Sequence, residues 1–150
     1  MENKFLSAFQ IVGSTIKSVK IRNDLLTLNN NNNVKRKIDI SHLLGNIELL
    51  DDGKTLSGTI ILNIKVNISE NKKKYILEMS IEGCFNAPSE IGEETFKNML
   101  EVNGITSLYS IARGFVQSTS SQTVLSGNVL LPMINVVAYS KSLNDNNKDS

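Results

Sequence analysis

The chain has 150 residues, 40% of them hydrophobic, and 16 basic against 15 acidic side chains leave a formal charge of +1. That length suits one domain with a real core, and the balanced charge argues against a nucleic-acid face, which needs a basic excess. One Cys and one His exclude an internal disulfide and nearly exclude a zinc site, which takes three or four such ligands. No apolar run approaches the roughly 18 residues of a membrane span, so a cytoplasmic chain without membrane insertion is expected.

The stretch 9–21 (FQIVGSTIKSVKI) reads as a first strand. Its apolar phase runs through Phe9, Ile11, Val19 and Ile21, while Val12 and Ile16 fall on the other face, and Gly13 marks a plausible bulge at the switch. The run Asn29 to Asn33 makes the next segment a loop, preceded by Leu25, Leu26 and Leu28. Strand two, 37–50, carries Ile38, Ile40, His42 and Leu44 on one face, with a phase shift at Gly45. Strand three is the cleanest signal: Leu56, Gly58, Ile60, Leu62, Ile64, Val66 and Ile68 alternate with polar residues, Ile61 excepted. After a turn at 69–72, strand four shows Tyr75, Leu77, Met79, Ile81 and Phe85 on one face.

Beyond Pro88 the period becomes helical, at Phe96, Met99 and Leu100, with an expected break at Asn103-Gly104. A longer helix spans 105–120 on a stripe of Leu108, Tyr109, Ala112, Phe115 and Val116. SerSerGlnThr is expected to end it, 129–131 is extended, and 134–143 forms a short amphipathic segment. The prediction is an α+β fold: a four-stranded antiparallel meander with one long and one or two short helices on one face. One domain covers 1–143, and 144–150 is a polar, frayed tail.

Size raises a difficulty. At roughly 3.3 Å per residue, the run 56–68 extends about 43 Å, whereas the helix 105–120 is only about 24 Å long at 1.5 Å per residue. So few helices leave apolar sheet area uncovered, which calls for self-association or an open apolar groove.

No constellation of catalytic or metal-binding residues emerges, so an enzyme is not expected. His42 reads as a packed structural side chain and Cys84 as an incidental thiol. The basic runs 35–37 and 72–74 read as solvated turns and edges, and Glu93 and Glu94 as complements to a helix dipole. The leucines 25, 26 and 28, with Ile134, Val136, Val137 and Tyr139, are the best candidates for a hydrophobic binding surface.

The order of three segments resembles the SecB family of protein-export chaperones. They are FQIVGSTIKSVKI, YILEMSIEGCF running into NAPSE, and NGITSLYSIARGFVQSTSSQTVLSGNVLLPMIN, which holds an Ala112-Arg113 pair and a Leu-Pro-x-x-Asn element at Leu131, Pro132 and Asn135. The likeness spans most of 9–143. It implies a homotetramer, a dimer of dimers, that binds unfolded client polypeptides without ATP or any other cofactor. The implied groove takes Leu25, Leu26 and Leu28 from the β1–β2 connection and Val136, Val137 and Tyr139 from the last helix, with Phe85 as a further wall.

The family also docks the translocase motor SecA through acids on the outer sheet face. Ile76 and Glu78 match that face, but Ser18 and Arg22 stand where acids are expected, which counts against SecA as a partner. Some SecB-like proteins serve toxin–antitoxin systems, so an antitoxin is an alternative client. A rival from another class is an adaptor or oligomerisation module for one folded partner.

Overall fold

The structure, a computed structural model, describes residues 6–24, 34–124 and 127–146. Four strands, β1 (Gln10–Asn23), β2 (Lys35–Leu49), β3 (Thr55–Glu70) and β4 (Lys73–Pro88), form one antiparallel sheet in the order β1-β4-β3-β2. Strands β2, β3 and β4 run up and down as a meander, and β1 lies on the far side of β4. The β1–β2 connection therefore joins opposite edges of the sheet, at the end where β3 turns into β4.

Local chemistry fixes the turns. Between β2 and β3, Gly53 has φ of 67°, and the Asp52 carboxylate accepts from the Lys54 and Thr55 amides at 2.8 and 2.9 Å and from the Thr55 hydroxyl at 2.6 Å. These bonds hold the Asp52 carboxyl below the usual range. Between β3 and β4, Asn71 takes φ of 52°, a conformation its short amide side chain tolerates.

Period-two alternation gives the sheet two unlike faces. The inner face carries every buried side chain of β3 and β4, from Leu56 to Ala87. The phase switch expected at Gly13 is a bulge at Val12, where the register passes from Ile11 to Gly13, and a second bulge falls at Lys17. The shift expected at Gly45 in β2 is a third, between Leu44 and Ile47. Gly45 leaves room there: a Cβ would sit 2.1 Å from the Thr59 hydroxyl, which would have to move.

Helix α1 (Glu93–Met99) opens the layer over the inner face, with Glu93 and Glu94 in its first turn. The break expected at Asn103-Gly104 does not occur. A π-helical turn, Leu100–Gly104, carries the chain directly into α2 (Ile105–Thr123). The glycine serves proximity: a Cβ on Gly104 would meet Ile60 and Phe85 at 3.4 and 3.5 Å. Gly58 makes room in the same way, since its Cβ would lie 2.8 Å from Leu100 and 3.0 Å from Phe96.

Nor does SerSerGlnThr end α2. Ser121 and Thr123 donate to the carbonyls of Ser118 and Thr119, so their hydroxyls are satisfied within the helix, which runs on to Thr123. Helix α3 (Val136–Asn146) reaches three residues past Leu143, into the segment expected to fray, and 147–150 lie outside the described residues.

Candidate functional site

The helices cover the middle of the sheet and not its margins. On β3 and β4, Ile60, Leu62, Ile81 and Phe85 lose all solvent contact. On the same face of the edge strands, Ile11, Val19 and Leu49 remain 44%, 39% and 55% exposed. These residues pair across the ladder with Phe85, Met79 and Leu56, so they continue the core face outward without a lid. Leu130, Met133 and Val137 add exposed apolar surface on the chain that follows α2.

That following segment is held to α2 by one stripe of the helix. The Ser120 hydroxyl accepts from the Val129 amide at 2.6 Å, Arg113 Nε donates to the Leu131 carbonyl at 2.9 Å, and the Tyr109 hydroxyl donates to the Pro132 carbonyl at 2.6 Å. An extended segment without a sheet partner thus has its backbone satisfied by side chains spaced along one helix face. Asn135 then caps α3, its side-chain oxygen accepting from the Ala138 amide at 3.0 Å. The Leu-Pro-x-x-Asn element so acquires a physical role: Leu131 is an anchor without exposure, Pro132 offers a carbonyl, and Asn135 starts the next helix.

Sequence reasoning singled out Arg113 and missed Ser120. A serine near a helix end reads as polar surface, and only the fold shows it fully buried against Val129.

Helix α3 meets β2 at a side-chain pair, His42 and Tyr139. Tyr139 hydroxyl and His42 Nδ1 are 2.9 Å apart, with the rings edge to face at 5.6 Å. This fits the structural reading of His42. Burial pushes the Tyr139 phenol up, as it does Tyr75 and Tyr109.

The expected groove residues fall into three groups. Leu25, Leu26 and Leu28 lie outside the described residues. Val136 is buried, Tyr139 half-buried and Val137 49% exposed, so α3 brings one open apolar side chain beside two packed ones. Phe85 has no exposed area and stacks on Phe9 at 4.9 Å. A fully covered ring offers a client nothing, so in this structure Phe85 belongs to the core and not to a groove wall.

The outer face is mostly polar, apart from Leu43, 63% exposed, beside Ile61, and has a shallow depression of about 530 Å³ over its centre. Ser18, Arg22, Ile76 and Glu78 do come together there, on the adjacent strands β1 and β4. Glu78 does not stand alone, however. Lys20, Glu78, Lys65 and Asp39 form one row across the four strands, alternating in sign, with Lys65 3.1 Å from Glu78. Lys17 and Glu82 pair at 3.1 Å on the same face. Cys84, also outward, is half-buried with Sγ 3.6 Å from the Ser57 hydroxyl.

Among the described residues no group of three His, Cys, Asp or Glu side chains could hold a metal ion, and no helix is long and apolar enough to cross a membrane.

The fold matches a solved structure of the SecB-like chaperone Rv1957 of Mycobacterium tuberculosis, in complex with a ChAD peptide from the Rv1956 HigA1 antitoxin. The TM-score is 0.64 at 9% sequence identity, over 85% of this chain and 91% of that one. A protein of unknown function from Streptococcus agalactiae is similar at a TM-score of 0.48 and 14% identity, over 83% of this chain and 97% of that one. No protein-family model matches the sequence, and no curated protein does. The chain has the SecB-like fold: a four-stranded antiparallel sheet with the long helix α2 and the shorter α1 and α3.

Proposed function

We propose that this protein is an ATP-independent holdase that keeps non-native polypeptides soluble by covering their apolar segments. The observation that carries the reading is the apolar area left open on the inner face at both edges of the sheet, at Ile11 and Val19 on β1 and at Leu49 on β2, with Met133 and Val137 exposed on the chain after α2. A folded chain rarely leaves such area to water without a partner for it. Each client side chain fully buried there contributes on the order of 1.5–3 kcal/mol, so a few contacts suffice for reversible capture. Leu25, Leu26 and Leu28 are proposed as the far wall of that surface, with Val136, Val137 and Tyr139 as the near one. The solved neighbour's antitoxin peptide makes an antitoxin a reasonable client class.

Assembly as a homotetramer, a dimer of dimers, would cover part of the same margin. Light scattering should then give four times the 16.6 kDa chain mass. SecA docking is not favoured. The outer-face acids that could receive it, Glu78 and Glu82, are already matched by Lys65 and Lys17, and a neutralised row gives a docking partner little directional charge.

The direct test is aggregation of a chemically unfolded client with and without the protein, nucleotide absent. Suppression near one tetramer per client is expected, and Val137→Glu should weaken it while leaving the thermal melt unchanged. Lack of suppression across several unrelated clients would sink the holdase reading. The rival, an adaptor for one folded partner, predicts equal binding to native and denatured forms of that partner.

A further inference from the structure

Among the described residues before Leu56, Phe9 alone is buried. Leu6, Ser7 and Ala8 ahead of it and Gln10 to Thr15 behind it are all exposed, yet Phe9 keeps only 7% of its surface. Its ring stacks on Phe85 at 4.9 Å and 13° and meets Phe96 at 5.8 Å and 54°. Phe85 on β4 and Phe96 on α1 have no exposed area, so two fixed rings form a slot that a third fills from the edge of the sheet.

The slot and its occupant are held differently. Phe85 is laddered on both sides, to Ile11 and to Gly58. Glycines fit the sheet to the slot's walls: a Cβ on Gly83 would lie 2.7 Å from the Phe85 ring, and one on Gly58 3.0 Å from the Phe96 ring. Phe9, by contrast, precedes the first ladder pair, Gln10 with Asn86, and its amide donates to the Ser7 hydroxyl at 3.2 Å, within its own segment. After Gln10 and Ile11 the bulge at Val12 interrupts the ladder. The Phe9 ring can therefore leave by fraying two pairs, a local opening with a natural stop behind it. Ile11, 44% exposed, stands beside the slot, so a vacated slot opens onto the apolar margin of β1.

We propose that Phe9 is a displaceable plug, and that the slot it vacates between Phe85 and Phe96 takes an aromatic side chain of a non-native polypeptide. The inference rests on the holdase reading and names the gate of that surface and the side-chain class that opens it. With Phe9 in place Phe85 is closed to a client, and the resident ring itself shows what the slot accommodates. An aliphatic side chain would exclude water there but forgo the stacking, so it displaces the plug less well. A tethered competitor also keeps capture reversible, because apparent affinity falls with the fraction of molecules whose slot is open.

The chain has no Trp, so Phe9→Trp supplies a single emitter. The full-length variant is titrated with two unstructured, Trp-free peptides of one apolar sequence that differ in a central Phe or Ser. The Phe peptide should move the indole emission to the red, and the Ser peptide should not. In the unmodified protein the Phe peptide should speed hydrogen exchange across 6–12 and leave 18–22 unchanged. Phe9→Ala, its plug gone, should bind the Phe peptide about tenfold tighter and the Ser peptide no differently.

Binding of the Phe peptide with neither an emission shift nor faster exchange at 6–12 overturns this inference and leaves the holdase reading standing. Weaker binding of both peptides to Phe9→Ala overturns it as well, since Phe9 is then an ordinary part of the core. Binding of neither peptide to the unmodified protein overturns both readings. Because exchange is measured on the unmodified protein, misfolding of either variant would not remove the test.

Discussion

Strands β3 and β4 bury alternate side chains from Leu56 to Ala87, whereas β1, with Ile11, Ile16, Val19 and Ile21 on the same face, buries none of them fully. The two regions share one sheet, one ladder and one type of side chain. What separates them is the width of the helix layer, which reaches the middle strands and stops. Apolar residues at the centre hold the fold together, and equally apolar residues at the margin are free to hold something else. Hydrophobic pattern alone cannot distinguish these two uses.

The sharpest way to break that contrast is paired truncation. Leu62→Ala at the sealed centre should cost about 2–5 kcal/mol in urea unfolding, because the cavity cannot fill. Val19→Ala at the margin should cost less than about 1 kcal/mol yet reduce client capture. Similar losses at both sites would remove the distinction.

Ser120→Ala probes the seam between the regions. It leaves the buried Val129 amide without an acceptor, so a loss of about 1–3 kcal/mol is expected. Amide exchange at Val129 should rise with it. Gly45→Ala, which forces a Cβ against Thr59, should destabilise by about 1–3 kcal/mol through strain at the β2 bulge. An unchanged melting temperature would mean that the edge strand shifts freely.

The smallest effect belongs to the exposed turn. The Asp52 carboxyl is depressed by its bonds to Thr55 and Lys54, so its contribution is present above the ordinary aspartate value and lost as pH falls through the lower folded value. A pH series of melts should show a shallow acid-side decline that Asp52→Asn abolishes.

Much of this architecture was legible in the residues. The alternation at 56–68 and 75–85 gave both central strands, and the phase slips near Gly13 and Gly45 gave two bulges, because a ladder cannot absorb an extra residue silently. Asn103-Gly104 misled for a definite reason. Local propensity marks it as a breaker, but the glycine's missing side chain lets the helix approach Ile60 and Phe85. Ser120 was unreadable because its acceptor role depends on a backbone amide nine residues away that only packing brings near.

Of the candidate surface, Val137 is exposed and Phe85 buried, a difference the residues do not show, since periodicity gives the face of a strand but not how far a helix covers it. The two basic runs stand exposed on an edge strand and at a turn, as expected, but that they share one end of the sheet was not legible, because net charge conceals how charge is distributed.

The position of β1 beside β4 also orders events during synthesis. Gln10 pairs with Asn86 and Asn23 with Tyr75, so β1 leaves the ribosome before its neighbour in the sheet, β4, has been made. At about 5–20 residues per second that delay is on the order of 3–15 s, long compared with the microseconds in which a hairpin closes. Strands β2, β3 and β4 can meet their neighbours in turn, whereas β1 is made early and placed late. The lysines of β1, Lys17 and Lys20, disfavour stray pairing in that interval, before the strand takes its place at the edge of the finished sheet.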